Sequence, residues 1–255
     1  MIRASWALAR RALRNSLRRP QFLAPLVVFP SMFLAVNVGG LQETTRLPGF
    51  EEVNGFLDFQ LAAAITQSIL LGGVTAGIAT ALEIEGGFFD RLVSSPVPRT
   101  ALLAGRLIAT AVLSAVQVCW FLALGLIFGA QIEGGVIGVL LIIAIGTIAG
   151  VGFGGIGMLL AFRAKNASTV QGIFPLVFVV LFVSSAFFPR ELLDPPADWL
   201  ADYNPLSYIA EGMREPIISG INGGPIALGF AAAIGLALVA GGAALMALRG
   251  RLGNT

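Results

Sequence analysis

Charge is scarce in this 255-residue chain and histidine is absent: 12% of residues are charged, about half the roughly 25% usual in a soluble domain. Without histidine there is no ready proton shuttle and the commonest metal ligand is missing. The one cysteine, Cys119, lies inside an apolar run, so no disulfide framework can form within the chain and no cysteine-based metal site is expected. Lys165 is the only lysine. It sits in FRAKNAS, without the glycine spacing of a phosphate-gripping G-x-x-x-x-G-K-[ST] loop, so the chain is not expected to bind ATP in that way. No H-E-x-x-H, paired cysteines or G-x-S-x-G occurs, and an enzyme is not expected. The deep parts of the apolar runs hold no ionisable residue, Asp58 being the nearest. Ion-coupled carriers usually keep one there to hold the ion. A rival reading as an ATP-independent secondary carrier is therefore disfavoured.

Hydrocarbon is what the chain has. It is 56% hydrophobic with a mean hydropathy of +0.88, and its apolar runs of about 20 residues match a bilayer crossing. The expected fold is an all-α membrane protein with six spans, near 21–40, 56–82, 106–128, 135–161, 170–188 and 225–248. Thirteen basic residues fall in the N-terminal segment, the second and fourth loops and the C-terminal segment, against three (Arg46, Arg190, Arg214) in the other loops. The positive-inside rule then puts both termini in the cytoplasm.

Residues 1–20, MIRASWALARRALRNSLRRP, form a segment distinct from the six-span domain at 21–255. Pro25, Pro30 and the lack of a small-x-small site argue against a cleaved signal peptide. At helical spacing Ile2, Trp6, Ala9, Leu13 and Leu17 form one stripe, with Arg3, Arg10, Arg11, Arg14 and Arg18 beside it. That pattern predicts an interfacial helix, apolar face down on an anionic leaflet.

The loop at 83–105 interrupts the hydrocarbon. Gly86 and Gly87 end the second span. Phe88/Leu92 and Phe89/Val93 are i,i+4 pairs, predicting a short helix with one apolar face and Asp90 and Arg91 pointing elsewhere. Glu83 and Glu85 precede it, where negative charge suits a helix N-terminus, and Ser94, Ser95, Pro96 and Pro98 stop it. Two readings stand open: both phenylalanines dock in a partner's cleft, or they dip into lipid.

The stretch ALEIEGGFFDRLVSSPVPRTALLAGRL resembles the connection between the second and third spans of type-2 ABC exporter permeases, through Glu83, Glu85, Gly87, Asp90, Arg91, Leu92, Ser95, Pro96, Val97, Arg99, Leu103, Gly105 and Arg106. NPLSYIAEGMREPI, 204–217, is similar to the N-P-L-x-Y-x-x-E-x-x-R stretch between the family's last two spans, through Asn204, Pro205, Tyr208, Glu211 and Arg214. The variants most like this chain are of the daunorubicin-resistance, multidrug-efflux type. The resemblance implies a bacterial inner-membrane permease working in a pair of identical or paralogous chains. Two separate ATP-binding cassette subunits would carry the ATP and Mg²⁺, this chain would hold no cofactor, and no nucleic acid would be a partner. Residues 86–95 would be the coupling helix.

In the outer loop, 189–224, Asn204 and Pro205 suit a cap and first helical position, with a stop expected before Pro216. By resemblance this loop is a pair of short re-entrant helices; an aromatic belt is the alternative. Gly146, Gly150 and Gly154, and Gly229, Ala233, Ala237 and Gly241, mark faces for close helix contact. Gln60, Gln67, Ser68 and Thr75 in the second span, with Ser114 and Gln117 in the third, are candidates for a substrate path suited to a lipophilic or amphipathic cargo. Ordinary interhelical hydrogen bonding explains them equally. Export of a polysaccharide or glycolipid is the alternative within the family.

Overall fold

The computed structural model describes residues 2–46, 53, 55–94, 97–164 and 166–253. Among them the chain is helical, without strands. The helices are α1 (Ile2–Leu17), α2 (Pro20–Leu41), α3 (Phe56–Glu85), α4 (Phe88–Val93), α5 (Arg99–Ile127), α6 (Gly135–Ala164), α7 (Ala167–Gly172), α8 (Phe174–Phe182), α9 (Ala197–Tyr203), α10 (Pro205–Ile218) and α11 (Gly223–Gly253). Five segments are long and apolar enough to cross a membrane: Pro20–Arg46, Phe56–Glu85, Thr100–Ile127, Gly135–Ala164 and Gly223–Gly250.

The fifth expected span, 170–188, is shorter and interrupted. α7 and α8 together cover Ala167–Phe182, less than the roughly 20 residues of an ordinary crossing. Asn166 caps α7, its side chain accepting from Thr169 N. Pro175 stands in the first turn of α8, where its missing N–H interrupts hydrogen bonding with the preceding turn. The Ser184 hydroxyl donates to Leu181 O, and the chain turns away.

Proline does not break the first span: α2 runs through Pro25 and Pro30. Pro30 cannot donate to Leu26 O, one turn earlier. The Ser68 hydroxyl of α3 donates to that carbonyl instead, at 2.6 Å. A freed backbone acceptor in a membrane helix needs such a neighbour.

α3 is the central helix, packed on α2, α5, α6, α7 and α10. Glycine sets its closeness to α6: a Cβ at Gly77 would lie 2.6 Å from Gly157 O, and one at Gly73 2.5 Å from the Phe153 backbone. The expected small-residue faces pack within the chain. Gly146, Gly150 and Gly154 receive Val118, Ser114 and Thr110 of α5, and Gly229 of α11 meets Gly212 of α10. One end of the bundle gathers α1, α4 and α7 with the ends of α3, α5, α6 and α11; this is the basic end. The opposite, acidic end carries α9 and α10.

Against expectation, the apolar stripe of α1 does not lie on one free face. Ala9 is buried with Ser5 because α1 packs on α5 at Gly105, where a Cβ would come within 2.7 Å of Leu8 Cβ. Ile2, Trp6 and Leu17 remain exposed.

Candidate functional site

Gly87 turns the chain from α3 into α4 with φ +65°, a left-handed conformation open to glycine at little cost. Gly86 N–H and Gly87 N–H donate back to Leu82 O and Ile84 O, closing the end of α3. The six residues of α4 then divide sharply. Phe89 is 1% exposed and sits with Ile84, Leu103, Met158, Phe162, Ala244 and Leu248, its ring 5.5 Å from that of Phe162. Four long helices therefore meet around one side chain. Asp90 and Arg91 face outward. The expectation of two aromatics available to a partner is corrected: Phe89 anchors α4 to its own bundle. Phe88 is half-buried, with the Arg11 guanidinium 3.6 Å from its ring centroid. Ser95 and Pro96 lie outside the described residues.

Glu83 and Glu85 also differ from expectation. Both belong to the last turn of α3, and neither serves the N-terminus of α4. Glu83 pairs with Arg106 of α5 and with Arg11 of α1 at 3.4 Å, while Arg106 also donates to Thr80 Oγ1 at 2.8 Å. Acidic charge opposes the C-terminal dipole of a helix, and the two guanidiniums offset it. The Arg106 and Glu83 side chains are only 14% and 22% exposed, so removing the Glu83 carboxylate leaves the shielded Arg106 guanidinium without its counter-charge, at a cost of about 3–5 kcal/mol, whereas removing the Arg106 guanidinium leaves Glu83 paired with Arg11. Glu85 accepts from Ala167 N at 2.8 Å, tying α3 to the start of α7. Sequence reasoning assigned Arg11 to the lipid surface and missed this three-helix cluster; nothing in local spacing links residues 11, 83 and 106.

Beside this cluster a cleft of about 100 Å³ opens between α1, α2, α3 and α5. Of the expected path residues it gathers Thr75, Ser114 and Gln117, together with Thr80, Glu83 and Arg106. The other three are placed elsewhere. Ser68 repairs the proline gap of α2 and is buried, and its carbonyl accepts from Gln117 Nε2 at 3.1 Å. Gln60 and Gln67 are buried in the bundle at 1% exposure and do not line the cleft. Gln60 Oε1 and both amide atoms of Gln67 have no hydrogen-bond partner among the described residues.

At the acidic end, Asn204 caps α10 as expected, accepting from Leu206 N at 3.0 Å, and Pro205 opens the helix. Asn204 Nδ2 also donates to Val180 O at 2.7 Å, fastening α10 to α8. The expected stop before Pro216 is corrected: α10 continues to Ile218, because its last turn is held by the chain before α6, with Gly134 N and Glu133 N donating to Pro216 O and Ile217 O. Glu211 receives Arg190 Nε at 2.6 Å and Nη2 at 3.2 Å, plus the Ser185 hydroxyl. Arg190 also pairs with Asp202 and stands 4.6 Å from the Tyr208 ring centroid. Burial disfavours its charge, yet the hydrogen bonds and charge of Glu211 outweigh this and hold the guanidinium above its ordinary pKa. Tyr208 Oη donates to Asp202 O at 2.8 Å. Arg214 is 2% exposed, donates to Ser185 O and Ala186 O at 3.1 and 2.6 Å, and lies 3.7 Å from the Phe59 ring centroid. Two of the three basic residues on the acidic side thus lock the turn after α8 to α10. Their rarity there was the available signal.

Among the described residues no group of three or more His, Cys, Asp or Glu could hold a metal ion. The arrangement offers mechanical linkage and a cleft with polar ends.

Residues 3–218 match the family described as ABC-2 type transporter. The chain is similar to the "Daunorubicin resistance ABC transporter permease protein DrrB1" of Streptomyces coeruleorubidus, 27% identical over 201 residues, 77% of this chain and 68% of that protein. It is also similar to the "Putative transport permease ycf38" of Porphyra purpurea, 27% identical over 211 residues, 82% and 72% of the two chains. The same-named protein of Pyropia yezoensis is 25% identical over 221 residues, 85% and 74%. With the match spanning most of its length and five apolar helices to cross a bilayer, the chain is a multi-pass membrane protein of the ABC-2 type transporter family, a permease of an ABC system.

Proposed function

We propose that this chain is the membrane-spanning permease of an ATP-driven exporter in a bacterial inner membrane, moving a lipophilic or amphipathic cargo outward. It works with a second permease chain, identical or paralogous, and with two ATP-binding cassette subunits that bind ATP and Mg²⁺. The basic end faces the cytoplasm, α7 and α8 make the short fifth of six passages, and α9 and α10 form the outer re-entrant pair. α4 is the coupling helix.

One observation carries this reading: α4 presents Asp90 and Arg91 outward while Phe89 is sunk among α3, α5, α6 and α11. A push on its outer side is passed to four long helices at once, because close-packed side chains transmit displacement and do not absorb it. The Glu83–Arg106–Arg11 cluster adds α1 to the same rigid unit. The printed name of the Streptomyces relative supports a drug-like cargo. Two sequence features agree: the chain has no phosphate-gripping lysine loop of its own, and no ionisable group deep in its apolar runs.

The test is the pair Asp90→Arg and Arg91→Glu in the complex co-expressed with its ATPases. Export and cargo-stimulated ATP hydrolysis are expected to fall about tenfold or more, at unchanged permease level and with both variants monodisperse in detergent. Wild-type export and wild-type ATPase association in both variants would remove the coupling assignment.

A further inference from the structure

α1 spends one side on the bundle and leaves the opposite side bare. Ser5 and Ala9 are buried, and Leu8 beside them packs on Gly105 of α5. At roughly 100° per residue, Arg3, Arg10 and Arg14 fall within about 20° of one line on the far side of the helix. All three are exposed and make no ion pair among the described residues. With Trp6, Ala7 and Arg11 they line an open groove of about 470 Å³, in which no described residue supplies a carboxylate. Like charges one turn apart, as at Arg10 and Arg14, repel, and a bound anion relieves that repulsion.

The flanks of the row decide which anion fits. On one flank stand Ile2, Trp6 and Leu17, 87%, 59% and 66% exposed. On the other, Arg11 turns to Glu83 and to the Phe88 ring of α4. The row is therefore bordered by apolar surface on its free flank alone. Only Arg18 and Arg19 separate α1 from α2, the first membrane-crossing helix, so the end of α1 lies within about 10 Å of that span. A free phosphate or an acidic protein would meet the cations and leave the apolar edge in water. A phospholipid meets both, with phosphate on guanidinium and hydrocarbon beside the indole.

We propose that this face of α1 is a docking site for anionic phospholipid, the headgroup on Arg3, Arg10 and Arg14 and the acyl chains against Ile2, Trp6 and Leu17. With Ala9 taken up by the bundle, only part of the apolar stripe is left for lipid, and the arginines carry the selectivity. The partner is neither cargo nor ATPase, so the site does not rest on the exporter reading.

Trp120→Phe with Trp199→Phe leaves Trp6 as the sole tryptophan; both replaced rings are exposed, so the packing should persist. The full chain in this background is placed in phosphatidylcholine nanodiscs containing a minor share of brominated phosphatidylglycerol or of brominated phosphatidylcholine. Trp6 fluorescence is expected to be quenched about threefold or more strongly by the anionic lipid at low salt, the difference shrinking at high salt. Changing Arg3, Arg10 and Arg14 together to Gln should remove that preference while quenching by brominated phosphatidylcholine persists, which also reports that α1 still meets the membrane. Inorganic phosphate added at matched ionic strength should leave the preference intact. Equal quenching by the two lipids, no quenching by either, or a preference that survives loss of the three arginines overturns the site. A preference abolished by inorganic phosphate would make it a free-anion site and overturn the lipid assignment.

Discussion

A proline inside a membrane helix strands the carbonyl four residues before it, and Ser68 is the side chain that meets the one stranded by Pro30. Ser68→Ala is expected to lower stability by about 1–3 kcal/mol, the cost of an unmet buried acceptor, read as a reduced thermal midpoint in detergent. Phe89 makes the larger contribution. Phe89→Ala opens a hole where four helices meet and is expected to cost about 3–5 kcal/mol, whereas Arg91→Ala, on the exposed side, should stay within about 0.5 kcal/mol of the unaltered chain. Parallel thermal melts separate the two, and equal losses would mean that α4 is not anchored as described. Both phenylalanines were visible in the sequence, but not which one turns inward. Phe88 and Phe89 each have an i,i+4 apolar partner, so local periodicity is indifferent; the cavity between Ile84, Phe162 and Leu248 decides.

Between elements, contact distance is set by what a glycine omits. Gly73 and Gly77 of α3 meet Gly157 of α6 with no room for a side chain. Gly157→Val is expected to force the helices apart and destabilise the bundle by more than about 3 kcal/mol, judged by loss of the monodisperse peak in detergent. A tolerated valine would mean that this contact does not hold the two helices. Small-residue faces were legible as spacing, yet their partners were not: Gly146, Gly150 and Gly154 receive Val118, Ser114 and Thr110 of α5, a matched four-residue ladder that only packing reveals. The fifth apolar run was long enough on composition to cross a membrane. Its helix stops at Phe182 because Ser184 and Arg214 supply the hydrogen bonds of a turn, a stop signal contributed from the distant α10.

Across the whole molecule, charge divides by end. The segments counted together as the basic side do converge, with Ile84, Leu103, Phe162 and Leu248 packed in one cluster beside α1. If that end is cytoplasmic, a membrane-impermeant maleimide added to intact cells should label Asn222→Cys and leave Ser94→Cys unlabelled until the membrane is permeabilised, both in a Cys119→Ser background. The reverse pattern would invert the topology. The two ends also differ in construction. The basic end is bound through one acidic residue shared by two arginines, the acidic end through Arg190 shared by Glu211 and Asp202.

The sequence by itself determined the membrane-spanning helical class, the division of charge between the two ends of the bundle, the cap at Asn204 and the position of the helix at α4. These follow from composition, periodicity and local backbone chemistry, which act over a few residues. Only the tertiary structure decided that Phe89 is an anchor, that Ser68 serves the backbone of α2, that Glu83 joins α1 to α5, and that Thr75, Ser114 and Gln117 share a cleft while Gln60 and Gln67 do not. Each of these depends on which helix lies alongside, and in a bundle built on glycine contacts that choice is made by shape complementarity between surfaces far apart in the chain.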